Sequence, residues 1–522
     1  MNNLKWVIRR RSILLTAFVA LLLIPRTLLA QATPHQPKVN VILWFDTEDF
    51  LLPADDDAAK RLAEMLTQRG IRATFKVVGE KARVLEKRGR IDVIDALKKH
   101  EIGYHSNLHS VHPTPTEYLA DCGLLDGMAE FVRREKQGSI DVRRIFGVPT
   151  LCCYGQPGSS WASQAIAALP ECGVLSSGIP CYVDSGNHVG LDGQPFWYAG
   201  AIMVYKMGPN ETRMELFDPE SLPKAQKQFT SIADRLASDG GGLISIFYHP
   251  CEWVHEGFWD GVNFRRGANP PREEWKPPRQ RPADQTEGAF ERFAKYLDSI
   301  KARSDVRFVT ARDLPDLYPD TLRTEGATAA EAMTLAKRIL ASDFKGLDYQ
   351  TIGRKTFSPA EQFTLLTLAV GQIIDAPKTP ADSFAMIPGL LGPDAGPPSA
   401  TTQPSVRVPI RWTAMRDATL DVRDFLRSQH RIPARVFIGP DAIAPADFLP
   451  ALAAAYVEYE ETRRTPETVV LGNNVELLTA RRVAKDSPAL YGNWIIHKAN
   501  FRAPHVLEVA RLQAWTLKPA TK

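Results

Sequence analysis

Residues 39–49 read Val-Asn-Val-Ile-Leu-Trp-Phe-Asp-Thr-Glu-Asp, a largely apolar, β-branched run that ends in a cluster of acids. A run of this length and composition is typical of a buried strand. Residues 56–69 then show helical periodicity, Gly70 ends that helix, and residues 73–78 return to a strand pattern. This stretch predicts a β-α-β unit with acidic side chains at the carboxyl end of its first strand.

The alternation of helices and strands continues to about residue 310. Further helices are predicted over 90–99, 118–137, 160–169, 223–238 and 287–303. Further strands are predicted over 101–104, 145–148, 174–176, 242–248 and 306–310. About seven strands joined by helices favour an α/β fold with a parallel sheet and barrel-like closure. Two stretches interrupt the pattern, a Pro/Arg/Gly-rich loop over 261–286 and a Pro/Gly/Ser-rich linker over 375–409.

The beginning of the chain has the three-part pattern of a secretory signal peptide, predicted over 1–32. Basic residues precede an apolar run over 13–24 that is too short to span a bilayer, and Ala30-Gln31-Ala32 offers a cleavage site. Arg10-Arg11 also resembles a twin-arginine signal, with an ordinary secretory signal as the alternative. We therefore expect an exported protein, periplasmic or extracellular, without a stable membrane span after cleavage.

Composition excludes some other classes of protein. The formal net charge of +4 over 522 residues gives no support for a nucleic-acid binder, which normally carries concentrated basic stripes. All six cysteines lie between residues 122 and 251, and none of them forms a Cys-x-x-Cys pair of the kind found in cysteine-rich zinc sites. In an oxidising compartment some of these cysteines can pair, but the sequence does not assign partners.

Beyond residue 325 the chain repeats an ordered three-part pattern. Residues 334–340, 351–353 and 358–360 reappear as residues 419–425, 437–439 and 444–446, and a weaker echo lies over 495–510. Each copy predicts a helix, a short strand ending in Gly, and a helix opened by Pro. The alternative is coincidence between Ala-rich helices. We therefore predict a catalytic domain over 38–320, a first repeat over 325–374, the linker over 375–409, and a second repeat with a C-terminal module over 410–522.

Three groups of polar residues follow predicted strands. They are the acids Asp46, Glu48 and Asp49, the pair His105 and His109, and His249. The carboxyl ends of parallel strands form one rim, so these groups are expected to meet there. Two histidines and one carboxylate form a set that holds zinc and leaves positions for water and substrate. A bound metal activates water, a second carboxylate can act as general base, and an opposing histidine as general acid.

Each group has a simpler explanation when it is taken alone. Paired acids after a strand often cap the following helix, and a lone histidine after a strand is usually a hydrogen-bonded loop residue. The shared position of all three groups at strand ends favours the functional interpretation.

Residues 38–320 resemble the polysaccharide deacetylase family (NodB-homology, carbohydrate esterase family 4). The resemblance is carried by Trp44-Phe45-Asp46-Thr47-Glu48-Asp49, His105-Ser106-Asn107-Leu108-His109 and Ile246-Phe247-Tyr248-His249-Pro250. It implies a distorted (β/α) barrel, a divalent metal that is usually zinc, and removal of N-acetyl groups from a carbohydrate. By this resemblance Asp46 would be the general base, His105 and His109 metal ligands, and His249 the general acid.

The acidic metal ligand is left open by the sequence. Family members mostly have two adjacent aspartates, whereas this chain has Asp-Thr-Glu-Asp. Alternation along an extended strand end puts Glu48 on the same side as Asp46, which favours Glu48, and Asp49 is the rival.

The chain also departs from the family's third motif, which carries an Arg near a Pro that holds the catalytic Asp. The matching stretch here is Tyr154-Gly155-Gln156-Pro157-Gly158, without an Arg, and no counterpart of the family's Asp partner and Trp is evident. Gln156 in this stretch is predicted to bind substrate. Trp253 and Trp259, beside the long loop, are predicted to stack on sugar rings, or alternatively to pin the loop to the barrel.

The C-terminal half, most clearly residues 419–456, resembles pseudomurein-binding repeats. That resemblance implies attachment to a cell-wall polymer, and the alternative is a helical module that packs on the barrel and binds nothing. The leading hypothesis is a metal-dependent hydrolase that removes N-acetyl groups from an envelope or extracellular polysaccharide. The alternatives are a non-catalytic wall-binding protein on a decayed deacetylase scaffold, and an amidase acting on a small non-sugar amide.

Overall fold

The computed structural model describes residues 39–184, 188–191, 193–205, 208–341, 344, 346–375, 395–401, 409–492 and 494–520. The predicted signal peptide and most of the predicted linker lie outside these residues. These residues belong to one compact unit. We find no helix among the described residues with the length and hydrophobicity needed to cross a bilayer.

The strands fall into one large sheet and three small pairs. In chain order they are β1 (Val39–Thr47), β2 (Thr74–Val77), β3 (Glu101–Tyr104), β4 (Tyr154–Gly155), β5 (Cys181–Asp184), β6 (Phe196–Tyr198), β7 (Ala201–Tyr205), β8 (Gly242–Tyr248), β9 (Val306–Val309), β10 (Gln350–Ile352), β11 (Lys355–Phe357), β12 (Pro409–Arg411), β13 (Val436–Ile438), β14 (Asp441–Ile443), β15 (Thr468–Val470) and β16 (Lys518–Pro519). The large sheet has the order β16-β6-β7-β5-β4-β3-β2-β1-β8, and β9 pairs with the first half of β1. It is a mixed, curled sheet that forms a half-closed barrel.

Helices cover this sheet and build the C-terminal half. They are α1 (Pro53–Gln68), α2 (Gly79–Lys87), α3 (Ile91–Leu97), α4 (Pro115–Leu119), α5 (Leu124–Phe146), α6 (Ser163–Ala168), α7 (Ser221–Ser238), α8 (Trp259–Asn263), α9 (Ala283–Lys301), α10 (Leu314–Leu317), α11 (Thr321–Glu325), α12 (Ala329–Ile339), α13 (Pro359–Asp375), α14 (Trp412–Gln429), α15 (Pro445–Thr462), α16 (Pro488–Gly492) and α17 (Pro504–Gln513).

Strand β1 lies between β2 and β8 in the large sheet and is buried along its whole length. Its odd-numbered residues Val39 to Phe45 join the core beneath the helices, whereas Ile42 and Trp44 face the smaller core inside the curl. Because side chains alternate along a strand, Asp46 continues the inner row. The parallel register with β2 sets Asp46 beside Lys76, and the register with β8 sets Phe45 beside Tyr248.

The predicted and observed elements differ most between residues 118 and 205. The predicted strand over 145–148 was wrong because α5 continues to Phe146 and ends at Gly147, which has the left-handed φ of 63°. A short apolar run cannot by itself distinguish a strand from a buried helix face. The strands β4 to β7 were missed because each has only two to five residues. The predicted strand over 242–248 is present with the same bounds.

The C-terminal half has a hydrophobic core of its own, built from residues between Leu322 and Leu471 together with Trp515. Within it, α12, the β10–β11 hairpin and α13 occur in the same order as α14, the β13–β14 hairpin and α15. Both second helices begin at Pro, at Pro359 and Pro445. The relation between the two segments as a sequence repeat stays a prediction, as do the domain boundaries.

The last part of the predicted module over 410–522 shares a hydrophobic core with the N-terminal half. Several buried residues between Val483 and Leu517, among them Tyr491 and Val506, belong to the same core as β1, and β16 pairs with β6 in the large sheet. At this junction Lys518 is buried, and its Nζ lies 2.8 Å from Asp320 and 2.7 Å from Glu361. The end of the chain therefore returns to the N-terminal half, past the helical segments.

Candidate active site

Two acids occupy the inner side of the end of β1. Asp46 is buried, and its Oδ1 lies 2.6 Å from the Nζ of Lys76, which is 1% exposed in its side chain. Burial would raise the pKa of Asp46, but the charges of Lys76, His105 and His249 outweigh burial and hold it below its ordinary value. Asp46 is therefore an ionised carboxylate at neutral pH, which is the form a general base requires.

Glu48 lies between the two imidazoles that follow β3. Its Oε2 is 3.2 Å from the Nε2 of His105 and 2.9 Å from the Nε2 of His109. One donor atom from each of these three buried residues lies within 4.8 Å of the others. Two imidazoles and one carboxylate at this spacing fit the donor set of a zinc site with open positions.

The Nδ1 atom of each imidazole, on the side away from Glu48, has a partner that fixes the ring. The Nδ1 of His105 lies 2.8 Å from the carbonyl oxygen of Gly155, and the Nδ1 of His109 lies 2.5 Å from the Oγ of Ser110. A proton on each Nδ1 satisfies these contacts and turns each Nε2 toward Glu48. Such anchoring sets the tautomer and ring orientation of metal-binding histidines.

The charges within this group shift the pKa values of its members. Burial opposes ionisation of Glu48, yet the charges of His109 and His249, with hydrogen bonds from His105 and His109, hold its pKa well below the ordinary value. Burial lowers the pKa of His105. For His109, burial is outweighed by the charge of Glu48, so the pKa is raised.

His249 follows β8 and faces the two acids from the opposite side. Its Nε2 lies 3.7 Å from the Oδ2 of Asp46, and its Nδ1 lies 2.7 Å from the Oε1 of Glu252. Arg213 forms an ion pair with Glu252 and so steadies this partner. Burial would lower the pKa of His249, but the charges of Glu48 and Glu252 prevail and raise it. The protonated imidazole is thereby favoured, which suits a general acid.

All of these groups open onto one cavity of about 590 Å³. It is lined by Asp46, Glu48, His105, His109, Gly158, Ser159, Arg213, Phe247, His249, Glu252, Phe258, Asp260, Gly261, Leu490, Trp494 and Ile495. The structure thus brings together the five predicted residues Asp46, Glu48, His105, His109 and His249. Part of the wall comes from residues that lie about 240 positions after His249 in the chain.

Asp49 is separated from this group. It lies with Asp55 and His255 in a second buried cluster, and its Oδ1 accepts a hydrogen bond of 3.0 Å from the backbone N–H of Leu51. Burial and the charge of Asp55 raise its pKa well above the ordinary value. Of the two acids left open by the sequence, Glu48 is the one beside His105.

The predicted substrate-binding residues lie behind the cavity wall. Trp253 is buried in the main core, where its ring packs against Tyr248 and Phe293. Trp259 is buried in a small aromatic cluster 6.3 Å from the His109 ring. Gln156 is buried and accepts a hydrogen bond of 2.7 Å from the hydroxyl of Tyr182. These placements indicate packing, and a role of the three residues in substrate binding stays a prediction. Phe258, which precedes α8, is an aromatic residue that does line the cavity.

Sequence reasoning missed several residues of the site, among them Lys76, Arg213, Glu252, Asp260 and Trp494. The position of Lys76 inside the apolar strand Thr74–Val77 could have indicated its role, because a buried charge requires a partner of opposite charge. Glu252, three residues after His249, was a second usable sign. Nothing local marks Trp494, whose place in the site depends on the path of the whole chain.

Comparisons with known proteins give only distant similarity. No family model matches the sequence, and no curated protein matches it. A protein from Mycobacterium smegmatis, provisionally described as a polysaccharide deacetylase, aligns with 55% of this chain and 92% of its own, at 16% identity and a TM-score of 0.35. A family 4 carbohydrate esterase from Streptomyces lividans, solved with acetate, aligns with 51% of this chain and 90% of its own, at 16% identity and a TM-score of 0.26.

A third solved structure is a pseudoenzyme of the CE4 family from Bacillus anthracis. It aligns with 53% of this chain and 65% of its own, at 11% identity and a TM-score of 0.25. The similarity is to deacetylase-type scaffolds over about half of the chain. At these identities and TM-scores, it assigns neither an activity nor a substrate to this protein.

Proposed function

We propose that this protein is a metal-dependent hydrolase that removes N-acetyl groups from a carbohydrate. The observation that carries the proposal is the single cavity that combines a Glu48-His105-His109 donor set with an ionised acid, Asp46, and an opposing imidazole, His249. Hydrolysis of an amide requires a base to take a proton from water and an acid to give one to the departing amine. Both groups flank the donor set here.

The chain's own residues account for the proton transfers. Asp46 takes a proton from the attacking water, and Lys76 at 2.6 Å keeps its carboxylate ionised until then. His249 gives its Nε2 proton to the amide nitrogen as the carbon–nitrogen bond breaks, so that acetate and a free amine are formed. Glu48, His105 and His109 would hold a divalent cation, zinc in our proposal, which when bound polarises the substrate carbonyl and activates water.

The cavity lining favours a neutral substrate. Among the lining residues that the structure describes, Arg213 and the protonated His249 are both paired with Glu252, whereas Asp46, Glu48 and Asp260 are acidic. Apolar side chains such as Phe258 and Trp494 can pack against the faces of sugar rings. We infer an N-acetylated neutral sugar of an envelope or extracellular polysaccharide as the substrate.

We also propose an extracytoplasmic setting, with the C-terminal half holding the enzyme on a cell-wall polymer. The basic and apolar pattern of residues 1–32 supports export, and the resemblance of residues 419–456 to wall-binding repeats supports attachment. Attachment of this kind would raise the local concentration of substrate around the active site.

The test is release of acetate from N-acetylated oligosaccharides by zinc-loaded protein, with acidic glycans and small non-sugar amides assayed in parallel. We expect His105→Ala to lose both bound zinc and turnover, and His249→Ala to keep zinc and lose turnover. His505→Ala, which alters an exposed histidine paired with Glu508, is the matched control and should change neither. Glycan binding without acetate release would refute the enzyme, and turnover of only small amides would refute the carbohydrate substrate.

A further inference from the structure

Part of the active-site wall comes from a segment close to the end of the chain. We define the C-terminal wall as residues 490, 491 and 494–497, of which Leu490, Trp494 and Ile495 line the cavity. These residues follow the helical segments and lie more than 380 positions after His109. They therefore lie outside the β-α units that supply the acids and histidines.

The C-terminal wall is attached to the rim on several sides. The Oγ of Ser159 donates a hydrogen bond of 2.9 Å to the carbonyl of Tyr491, and the backbone N–H of Gly267 donates one of 2.6 Å to Ile496. Nδ1 of His497 lies 3.2 Å from the carboxylate of Glu117. Attachment to three separate segments of the chain indicates a built part of the site.

Gly158 is the position that admits the indole of Trp494. A Cβ atom added there would lie 2.1 Å from the Cδ2 of Trp494, and the residue has a φ of 48°. Any side chain at this position would displace the ring, so the glycine provides the space in which Trp494 lies.

A chain of hydrogen bonds leads from Trp494 to a metal-binding imidazole. The indole Nε1–H donates to the Oδ2 of Asp260 at 2.7 Å. The hydroxyl of Ser110 lies 3.5 Å from the same oxygen and accepts from the Nδ1–H of His109 at 2.5 Å. The indole ring also lies against the His109 ring in an edge contact, with 5.4 Å between centroids.

We propose that Trp494 is a positioning residue for His109, acting through Asp260 and Ser110, and that its ring also limits the substrate space. The inference rests on the proposed function only in taking His109 to be a metal ligand. Without the indole N–H, the Oδ2 of Asp260 loses its hydrogen bond of 2.7 Å, and the oxygen beside Ser110 is less firmly held. The imidazole of His109 is then less firmly oriented toward Glu48. Loss of a partner that orients a metal-binding histidine typically lowers metal affinity about 10–100-fold.

The experiment measures Zn²⁺ affinity of the full-length protein by competition with a chromophoric chelator, which needs no substrate. Trp494→Phe removes the N–H and keeps an aromatic ring, and we expect its Zn²⁺ dissociation constant to rise about 10-fold or more. Trp275→Phe is the matched control, because its Nε1–H donates 3.0 Å to the carbonyl of Pro270, away from His109. Trp275→Phe should bind Zn²⁺ like the unaltered protein.

The route through Ser110 is tested with a double-mutant cycle. If Trp494 acts through Ser110, the combined Trp494→Phe and Ser110→Ala variant should bind Zn²⁺ about as weakly as the weaker single variant. On an N-acetylated oligosaccharide, Trp494→Ala should raise KM further than Trp494→Phe does, since it also removes the ring from the wall.

The outcomes separate this inference from the proposed function. Unchanged Zn²⁺ affinity in Trp494→Phe, or fully additive losses in the double variant, would overturn the positioning role even if deacetylation is observed. Conversely, weaker Zn²⁺ binding with the expected coupling supports the role even if acetate is never released. A Trp494→Ala protein with the KM of Trp494→Phe would overturn the part of the inference that concerns substrate space.

Discussion

Replacing Lys76 by Met tests the electrostatic basis of the site. The Nζ of Lys76 lies 2.6 Å from Asp46, and both side chains are almost fully buried, at 1% and 4% exposed. The lysine stem passes over Gly155, where an added Cβ would lie 2.6 Å from the lysine Cδ. Lys76 thus reaches Asp46 past Gly155, which belongs to the stretch 154–158 that contains no arginine.

The expected size of the effect follows from this geometry. Opposite unit charges 2.6 Å apart attract by roughly 6 kcal/mol at an effective dielectric constant near 20. Loss of the lysine's own desolvation cost offsets part of this, and breaking a buried pair typically destabilises a protein by about 3–5 kcal/mol. Proton uptake by Asp46 limits the loss at low pH. Lys76→Met should therefore destabilise the metal-free protein more at pH 8 than at pH 5.

The same change should shift the pH dependence of activity. The charge of Lys76 is the largest influence that lowers the pKa of Asp46, so its removal raises that pKa. An opposite charge at this range lowers a carboxyl pKa by about 1–3 units, and the acid limb of kcat/KM should move up by the same amount. We would measure urea unfolding at both pH values and kcat/KM across the pH range.

Two variants provide the controls. Lys81→Met breaks another buried pair of the same length, 2.6 Å to Asp56, and should lower stability without moving the acid limb. Lys76→Arg keeps the charge and should retain most of the original pH profile. If Lys76→Met keeps both its stability at pH 8 and its original acid limb, the proposed electrostatic support of Asp46 is refuted.

Three further predictions concern other buried charges. Glu48→Gln should weaken Zn²⁺ binding about 10-fold or more, whereas Asp49→Asn should leave it unchanged. Equal losses of Zn²⁺ affinity in the two variants would contradict the assignment of Glu48 as the acidic ligand. Burial raises the pKa of Glu135 to about 7, so its contribution to stability is present below pH 4.5 and is lost as the pH rises through 7. Glu135→Gln should remove this fall in the free energy of unfolding, which amounts to about 3 kcal/mol. A stability–pH curve with an unchanged slope would disprove this prediction. Lys518→Met removes the ion pair of the buried Glu361 and leaves Asp320 paired with Arg323 alone, which should cost about 3–5 kcal/mol in urea unfolding. An unchanged midpoint would contradict a structural role for this junction.

The order of hydrophobic runs and polar residues was enough to predict the elements that carry the reactive groups. The strands at residues 39–47 and 242–248, and the residues Asp46, His105 and His249 at strand ends, were all evident from local patterns. A strand end is visible in sequence because an apolar run stops there, and a parallel sheet brings such ends to one edge. The α/β class and the meeting of Asp46, His105 and His249 in one cavity could therefore be predicted from the sequence alone.

Other features depend on contacts between distant parts of the chain. The choice between Glu48 and Asp49 depends on how the backbone turns after β1, and the support of Asp46 by Lys76 depends on the register of β1 with β2. The approach of Trp494 to His109 depends on the route of the chain through the whole C-terminal half. Only the tertiary structure decides these features, because side-chain packing and the pairing of buried charges act between atoms that are close in space, whatever their separation in sequence.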